Sequence, residues 1–407
     1  MRLINTSTLR LESIDPSSPP PYAILSHTWG NDEVSFADMC DPSKASQREA
    51  FPKLLHACNE ARARGFGYIW IDTCCIDKSS SAELSEAINS MYRWYQNAAV
   101  CFIFLSDVDL AAGRGEWEDH LRYSRWFYRG WTLQELIAPR LVKFFDRNWK
   151  CLGTKQSLLS TLCRITGIDR EVLEDPECLP DVSVARRMSW AAQRRTSRTE
   201  DTAYCLLGIF DVHMPMIYGE GNKAFSRLQE EILKVSGDAS LFAWNQAIGT
   251  DQQYRGLLAE SPEEFLHFAN YSYSGPLSIR GDVYIAGPCV VIDGVFEVEN
   301  PGLGQDEVLL RLFGLETTVA EDHDTGIRLR RWKGRYVRVS SRHPITLKKQ
   351  VEKEAAGLTL ATKIHCLRSV DKRTSKQAAC EISDEMPQAD KRHEKADTDV
   401  QVSEQCR

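Results

Sequence analysis

The first 145 residues alternate between continuous apolar runs and segments with helical spacing. The apolar runs predict four strands, at 22–29, 68–71, 99–105 and 141–145. After the first strand, apolar residues from Phe51 to Ala61 recur every three or four positions, which predicts an amphipathic helix. Ser80 and Glu83 have capping-box spacing before a second helix. A short third helix over 129–138 is predicted to end at Pro139.

This order predicts how the strands are arranged. Continuous apolar strands that alternate with helices are typical of a parallel sheet covered by helices on both faces. In such sheets ligands bind beyond the carboxyl ends of the strands. We therefore predict an α/β fold with a binding site formed by segments 26–30, 72–78 and 106–107.

The remainder of the chain changes pattern twice. Segments 188–192, 200–209 and 224–235 predict helices, whereas the shorter alternating runs beyond residue 256 predict strands. Residues 369–407 contain no aromatic residue and are mostly charged or small and polar, a composition typical of disorder. The predicted domains are 1–147 (α/β), 148–245 (helical), 246–368 (β-rich) and a disordered tail at 369–407.

Composition excludes several classes of protein. The 407 residues are 43% hydrophobic and 26% charged, as in ordinary globular proteins. The net charge of −7 does not provide the basic surface that non-specific nucleic-acid binding requires. No apolar run approaches the roughly 20 residues of a membrane span, and the first residues lack the apolar core of a signal peptide. We therefore expect a cytoplasmic protein with no membrane span and no nucleic-acid partner.

Thirteen cysteines could indicate a metal site, and one glycine-rich loop could indicate dinucleotide binding, but the surrounding sequence supports neither. The cysteines are scattered, odd in number and without a CxxC pair, so we predict small buried side chains in a reducing compartment and no metal site. Residues 219–224 (GEGNKA) match a dinucleotide-binding pattern, but a proline-containing segment precedes them instead of a clear strand. We expect no dinucleotide at that loop.

Three blocks of polar and aromatic residues fall at or between the predicted strand ends. They are 22–30 (YAILSHTWG), 67–78 (GYIWIDTCCIDK) and 124–136 (SRWFYRGWTLQEL). They resemble the three blocks of the HET (heterokaryon incompatibility) domain of filamentous fungi, and segments between 187 and 221 resemble the region that follows it in many such proteins. The resemblance implies non-self recognition, in which HET-domain proteins trigger growth arrest or cell death after unlike hyphae fuse.

A more distant resemblance links the same blocks to the TIR domain. It rests on the order of Leu25-Ser26, a loop after the second strand, Ala87-Ile88 and the final W-x-L-x-E-L block. It implies a TIR- or flavodoxin-like sheet and, by similarity to NAD-cleaving TIR domains, a catalytic role for Glu135. Cleavage of the bond between nicotinamide and ribose develops positive charge on the ribose, which a carboxylate stabilises.

The same comparison suggests which residues contact the ligand. Ser26 and His27 are candidates to donate hydrogen bonds to phosphate or ribose, and Trp29 or Trp131 to stack on a planar ring. Asp72, at the end of the second strand, completes the predicted ligand-binding set. NAD would be a substrate in this scheme, and no resident cofactor is expected.

Each candidate also has a structural interpretation. Glu135 could pair with Arg125 or Arg129, and His27 could be a hydrogen-bonded structural residue. Trp126, Phe127 and Trp131 could fill the core, and Asp72 could cap a helix or orient Lys78. At the level of function, the alternative to an NAD glycohydrolase is a non-catalytic signalling module that recruits partners through its HET domain. Either way, we expect a homo-oligomer, with an incompatibility partner protein as a further candidate.

Overall fold

The computed structural model describes residues 1–112, 120–245 and 254–270, seven strands between 281 and 367, and residue 377. The chain divides into two compact units, Met1–Ser236 with Glu260–Pro276 and Gly237–Ala259 with Leu277–Arg407. Apart from residue 377, the predicted tail lies outside the described residues. The domain boundaries expected at 147 and 245 remain predictions.

A seven-stranded sheet forms the centre of the first unit. Its strands are β1 (Arg2–Asn5), β2 (Leu11–Ser13), β3 (Tyr22–His27), β4 (Tyr68–Ile71), β5 (Val100–Phe104), β6 (Val142–Phe145) and β7 (Cys151–Thr154). Their order is β2-β1-β4-β3-β5-β6-β7. The four predicted strands are the parallel ones, β4-β3-β5-β6, which confirms the α/β prediction. Antiparallel β1, β2 and β7 extend the sheet at its edges and were not predicted.

The order of the parallel strands locates the position where a ligand is expected. Numbered along the chain, they lie in the order second, first, third, fourth, as at the start of a flavodoxin-like sheet. The chain reverses direction across the sheet between β3 and β5, where such folds bind ligands. Ser26 and His27 end β3 at this position, level with Ile103 and Phe104 of β5.

Helices cover this sheet. They are α1 (Phe36–Met39), α2 (Pro42–Ala45), α3 (Phe51–Ala63), α4 (Asp72–Cys75), α5 (Ser81–Asn97), α6 (Thr132–Ile137), α7 (Leu159–Thr166), α8 (Arg170–Glu174), α9 (Val184–Ser189), α10 (Asp201–Tyr204) and α11 (Lys223–Val235). Short 3₁₀ turns lie at Leu110–Ala112, Arg125–Tyr128, Pro176–Asp181, Leu207–Ile209 and Pro262–Asn270. The helices predicted at 51–61 and 224–235 are confirmed as α3 and α11.

Two predicted helix starts differ in detail from the structure. Ser80 caps α5 by accepting from the Glu83 N–H, but the Glu83 carboxylate pairs with Arg2 instead of completing a capping box. The helix expected over 129–138 begins only at Thr132, because the Gly130 N–H donates to the Arg195 carbonyl outside any helix.

The second unit is β-rich, as the alternating runs predicted. Its strands are β8 (Tyr254–Arg255), β9 (Gly281–Ala286), β10 (Cys289–Glu297), β11 (Glu307–Leu312), β12 (His323–Trp332), β13 (Arg335–Val339), β14 (Ile345–Lys348) and β15 (Thr359–Leu367), and a 3₁₀ turn lies at Ala239–Phe242. They form one sheet in the order β14-β12-β11-β10-β15-β13-β8, with β9 on β10. In the described part of the chain, no helix is long and apolar enough to cross a membrane.

Candidate functional site

A cavity of about 230 Å³ lies at the carboxyl edge of the parallel strands. His27, Trp29, Asp72, Trp131 and Glu135 line it, so the structure brings five of the six predicted site residues together. The sixth, Ser26, is fully buried and contacts the cavity residue Glu135. The three blocks that are distant in sequence therefore meet at one place.

Glu135 lies on α6 and is held by a buried hydrogen-bond chain. The Ser26 hydroxyl donates to its Oε2 at 2.5 Å. The indole Nε1 of Trp126 in turn donates to the Ser26 oxygen at 2.7 Å, which leaves the hydroxyl proton directed at the carboxyl group. Ser26 thus positions Glu135 from the end of β3 instead of facing the cavity itself.

Burial governs the ionisation of Glu135. It raises the pKa of the carboxyl group to about 8, and the charge of Asp72 adds to this effect. The hydrogen bond from Ser26, the nearby Tyr95 hydroxyl and the positive charge of Arg129 oppose the rise only in part. At neutral pH, Glu135 is therefore mainly protonated. Of the two pairings in the alternative interpretation, the one with Arg125 does not form, since Arg125 lies beside Asp107.

His27 is buried between two carboxylates. Its Nε2 lies 3.6 Å from Glu33 Oε2, and its Nδ1 lies 3.9 Å from Asp72 Oδ1, distances too long for hydrogen bonds. Neither ring nitrogen has a hydrogen-bond partner among the described residues. His27 thus has two carboxylates at ion-pair distance but no hydrogen bond within 3.5 Å among the described residues, and both interpretations of this residue remain predictions. Burial disfavours the charge on Glu33, but His27, Lys53 and the Gly30 N–H together hold its pKa at about 2.

Trp29 projects at the mouth of the cavity, where its side chain is fixed on two sides. The residue is 46% exposed, and its Nε1 donates to Asp72 Oδ2 at 2.8 Å. The Lys78 ammonium lies 3.7 Å from the centre of the indole ring, a cation–π contact. Asp72 therefore orients Trp29 and not Lys78.

The region after residue 190 completes the cavity wall, which the site prediction missed. Ser197, Arg198, Asp201 and Tyr218 line the cavity. The Arg198 guanidinium lies 4.3 Å from the centre of the Tyr218 ring, and the Tyr218 hydroxyl donates to Asp201 at 3.0 Å. These residues follow no parallel strand, so the rule that ligands bind at strand ends could not find them.

The family comparisons agree with these blocks. Residues 22–115 match the family model described as heterokaryon incompatibility protein (HET), and residues 223–274 match a domain of unknown function, DUF8212. The chain contains a HET domain. It is also 50% identical over 225 residues to the vegetative incompatibility protein HET-E-1 of Podospora anserina. That alignment covers 54% of this chain but only 16% of the relative. No solved structure matches the chain.

The cavity extends beyond the matched HET region. His27, Trp29 and Asp72 fall within residues 22–115, whereas Trp131 and Glu135 follow it. Main-chain bonds join the block after the matched region to the helical region: the Arg195 N–H donates to the Tyr128 carbonyl and the Gly130 N–H to the Arg195 carbonyl. Residues 148–236 of the helical region are therefore part of the same compact unit as the HET domain.

In the glycine-rich loop downstream of the HET domain, the backbone N–H groups bind a side chain of the same protein. Gly219 and Gly221 both have positive φ, and their N–H groups donate to the Glu200 carboxylate at 2.8 and 3.0 Å. A carboxylate thus takes the position at which an N–H cradle would hold a phosphate. This geometry agrees with the expectation that the loop binds no dinucleotide.

Other candidates in and beside the HET domain are core residues. Trp126 and Phe127 are buried, as the structural interpretation predicted, whereas Trp131 is half-buried and lines the cavity. Cys74 and Cys75 are buried, and burial raises the pKa of the Cys74 thiol to about 12, so it carries no thiolate at neutral pH. The described residues contain no group of three or more His, Cys, Asp or Glu placed to hold a metal ion.

Proposed function

We propose that this chain mediates heterokaryon (vegetative) incompatibility in a filamentous fungus, and that it causes programmed cell death by cleaving NAD at the HET-domain cavity. The HET domain and the identity to a vegetative incompatibility protein support the biological role. NAD cleavage is proposed from one observation: the buried carboxyl group of Glu135 lies in a cavity that aromatic side chains also line.

The reaction uses Glu135 as an electrostatic partner and proton acceptor. The bond between C1′ of the nicotinamide ribose and the pyridinium nitrogen breaks, and its electron pair neutralises the ring nitrogen. The oxygen of a water molecule bonds to C1′ and releases a proton, which passes through the Glu135 carboxylate to solvent. The products are nicotinamide, ADP-ribose and a proton. An ionised Glu135 beside C1′ stabilises the positive charge that develops there.

The substrate itself favours the ionised form that this step needs. Glu135 has a pKa of about 8 because burial penalises its charge. A pyridinium ring placed beside it supplies a positive charge, which lowers the pKa of a neighbouring carboxyl group. NAD binding therefore shifts Glu135 toward the ionised state. A neutral nicotinamide analogue would not.

A second candidate function is a non-catalytic module that assembles with identical domains or with a partner. The specific observation in its favour is that Glu135 is buried, bonded to Ser26 and mainly protonated, which is a stable structural arrangement. Exposed aromatic side chains on the same part of the fold, Trp29 and Tyr128, would then serve contact with another protein.

One experiment separates the two candidates. The full chain is induced in yeast as wild type, Glu135→Gln and Glu49→Gln, the last an exposed HET-domain control outside the cavity. Viability and intracellular NAD are followed together. We expect wild type and Glu49→Gln to deplete NAD before they kill, and Glu135→Gln to do neither.

Two results would contradict NAD cleavage at this site. Death with constant NAD in wild type would favour the non-catalytic module. Death with NAD depletion in Glu135→Gln would show that another residue carries the reaction.

A further inference from the structure

Three cations line the cavity and have no described carboxylate oxygen at ion-pair distance. They are Lys78, Arg129 and Arg198. Among the described residues, none of them has a carboxylate oxygen within the 4.0 Å of an ion pair. Lys78 lies on the Trp29 ring, Arg198 lies on the Tyr218 ring, and Arg129 makes one long contact of 3.4 Å with the Ser197 hydroxyl. Stacking on a ring leaves the N–H groups of a cation available for another acceptor.

The carboxyl groups of the cavity have hydrogen-bond partners: each accepts a hydrogen bond from another side chain of the protein. Asp72 accepts from the Trp29 indole, Asp201 from the Tyr218 hydroxyl and Glu135 from Ser26. Each of these carboxyl groups has a donor, whereas the cationic side chains have no carboxylate at ion-pair distance among the described residues, so the cavity favours an anionic ligand.

A buried imidazole adds a polar group to these cations. His27 is 7% exposed and lines the cavity, and its ring nitrogens lie 3.6 Å from Glu33 and 3.9 Å from Asp72, beyond hydrogen-bond distance. Buried polar groups are normally hydrogen-bonded, so a ring without a hydrogen bond from the described residues is available to a ligand that enters the cavity. Trp29, Trp131 and Tyr218 offer aromatic faces beside these donors.

We infer that Lys78, Arg129 and Arg198 bind the phosphate groups of a nucleotide of the nucleoside diphosphate class, with one sugar–base end of the ligand in the cavity. This inference rests on the proposed function and specifies which part of the ligand these three cations bind at the mouth of the cavity. The volume of about 230 Å³ is below the range of roughly 300–1,000 Å³ that encloses a whole drug-sized ligand. The cavity therefore holds one end of a dinucleotide, and the pyrophosphate lies among the cations at the mouth.

The assignment divides recognition between two parts of the chain. Lys78 belongs to the matched HET region, whereas Arg198 belongs to the helical region after it. A protein that contained only the matched region, residues 22–115, would lack Arg129 and Arg198. It would therefore lose two of the three cations that bind phosphate. The helical region is thus a specificity element of the site.

The test measures binding of defined probes to the purified full chain by calorimetry. The probes are ADP-ribose, inorganic pyrophosphate and nicotinamide riboside, which has no phosphate. The variants are Lys78→Gln and Arg198→Gln, with Lys44→Gln and Arg140→Gln as exposed controls outside the cavity. Circular dichroism and thermal unfolding establish that each variant is folded.

We expect each cavity variant to weaken ADP-ribose binding by about tenfold or more, as loss of a charged hydrogen bond does. The control variants and all nicotinamide riboside affinities should stay unchanged. Unchanged ADP-ribose binding in both cavity variants would overturn the inference, as would absence of ADP-ribose binding to wild type. Pyrophosphate that binds as tightly as ADP-ribose would overturn the nucleotide assignment.

The outcome is distinguishable from that of NAD cleavage. A chain that binds ADP-ribose through Lys78 and Arg198 but leaves NAD intact retains the phosphate site and refutes catalysis. A chain that cleaves NAD with an unchanged KM in both variants supports catalysis and refutes the phosphate site.

Discussion

At the scale of single residues, the main feature of the cavity is a carboxyl group in an environment that disfavours its ionised form. Glu135 is buried beside Asp72, and both conditions raise its pKa. Ser26 donates to its carboxyl group, the Tyr95 hydroxyl lies near it, and the cations near it are Arg129 and the buried Arg194. The protein thus binds a proton at Glu135 that the unfolded chain releases near pH 4.5.

This proton links stability to pH. A carboxyl group whose folded pKa is raised contributes stability that is present below its unfolded pKa and is lost as pH rises through its folded pKa of about 8. Glu135→Gln mimics the protonated form and removes this dependence. We expect the melting temperature of the variant, relative to wild type, to increase by several degrees between pH 6 and pH 9, measured by differential scanning calorimetry.

Exposed Glu49→Gln is the control, and its melting temperature should differ from that of wild type equally at both pH values. A constant difference for Glu135→Gln as well would show that Glu135 is already ionised in the folded protein at pH 6.

At the scale of elements, the short helix α6 is fixed at both ends by buried cations. Near its start, Arg194 Nη1 donates to the Arg129 carbonyl and to the Thr132 hydroxyl, each at 2.9 Å. At its end, Lys155 Nζ donates to the carbonyls of Leu136, Ile137 and Pro139. A six-residue helix is too short to be stable alone, so these contacts maintain the position of Glu135.

Removal of the second of these cations should therefore loosen α6. In Lys155→Met, three carbonyl groups lose their donor in a site that remains buried, which costs about 2–4 kcal/mol in free energy of unfolding. Urea denaturation of the full chain measures this loss. Lys150→Met, at an exposed position, should change the free energy by less than about 0.5 kcal/mol. Equal effects of the two substitutions would contradict the role of Lys155.

The same helix shows what the sequence could and could not predict. Apolar runs located the four parallel strands because strands buried on both faces need continuous apolar residues. The polar residues at their ends identified His27 and Asp72 as site residues. The start of α6 and the contribution of Arg198 could not be predicted. Both follow from contacts of Arg194 and Arg195 with residues 128–132, which join segments more than sixty positions apart in sequence.

At the scale of the whole first unit, the HET domain and the helical region that follows it share one core. Gly208 lies where the 3₁₀ turn Leu207–Ile209 packs on α5. A Cβ atom at this position would lie 2.1 Å from Cβ of Tyr92, an atom that cannot move without its helix. The absence of a side chain at residue 208 is therefore a condition for the close approach of the two regions.

Gly208→Ala tests whether the two regions unfold together. The added methyl group must push the turn away from α5, and overpacking of this kind costs typically about 1–3 kcal/mol. Gly67→Ala is the matched control, since nothing lies within 4 Å of its Cβ position. We expect Gly208→Ala to weaken ADP-ribose binding and to lower the urea midpoint of one common transition, followed by hydrogen–deuterium exchange of peptides from residues 22–115 and of peptides from residues 148–236. If only the peptides of residues 148–236 lose protection at lower urea while those of residues 22–115 unfold as in wild type, the helical region is a separate folding unit and its side chains are not required to complete the cavity.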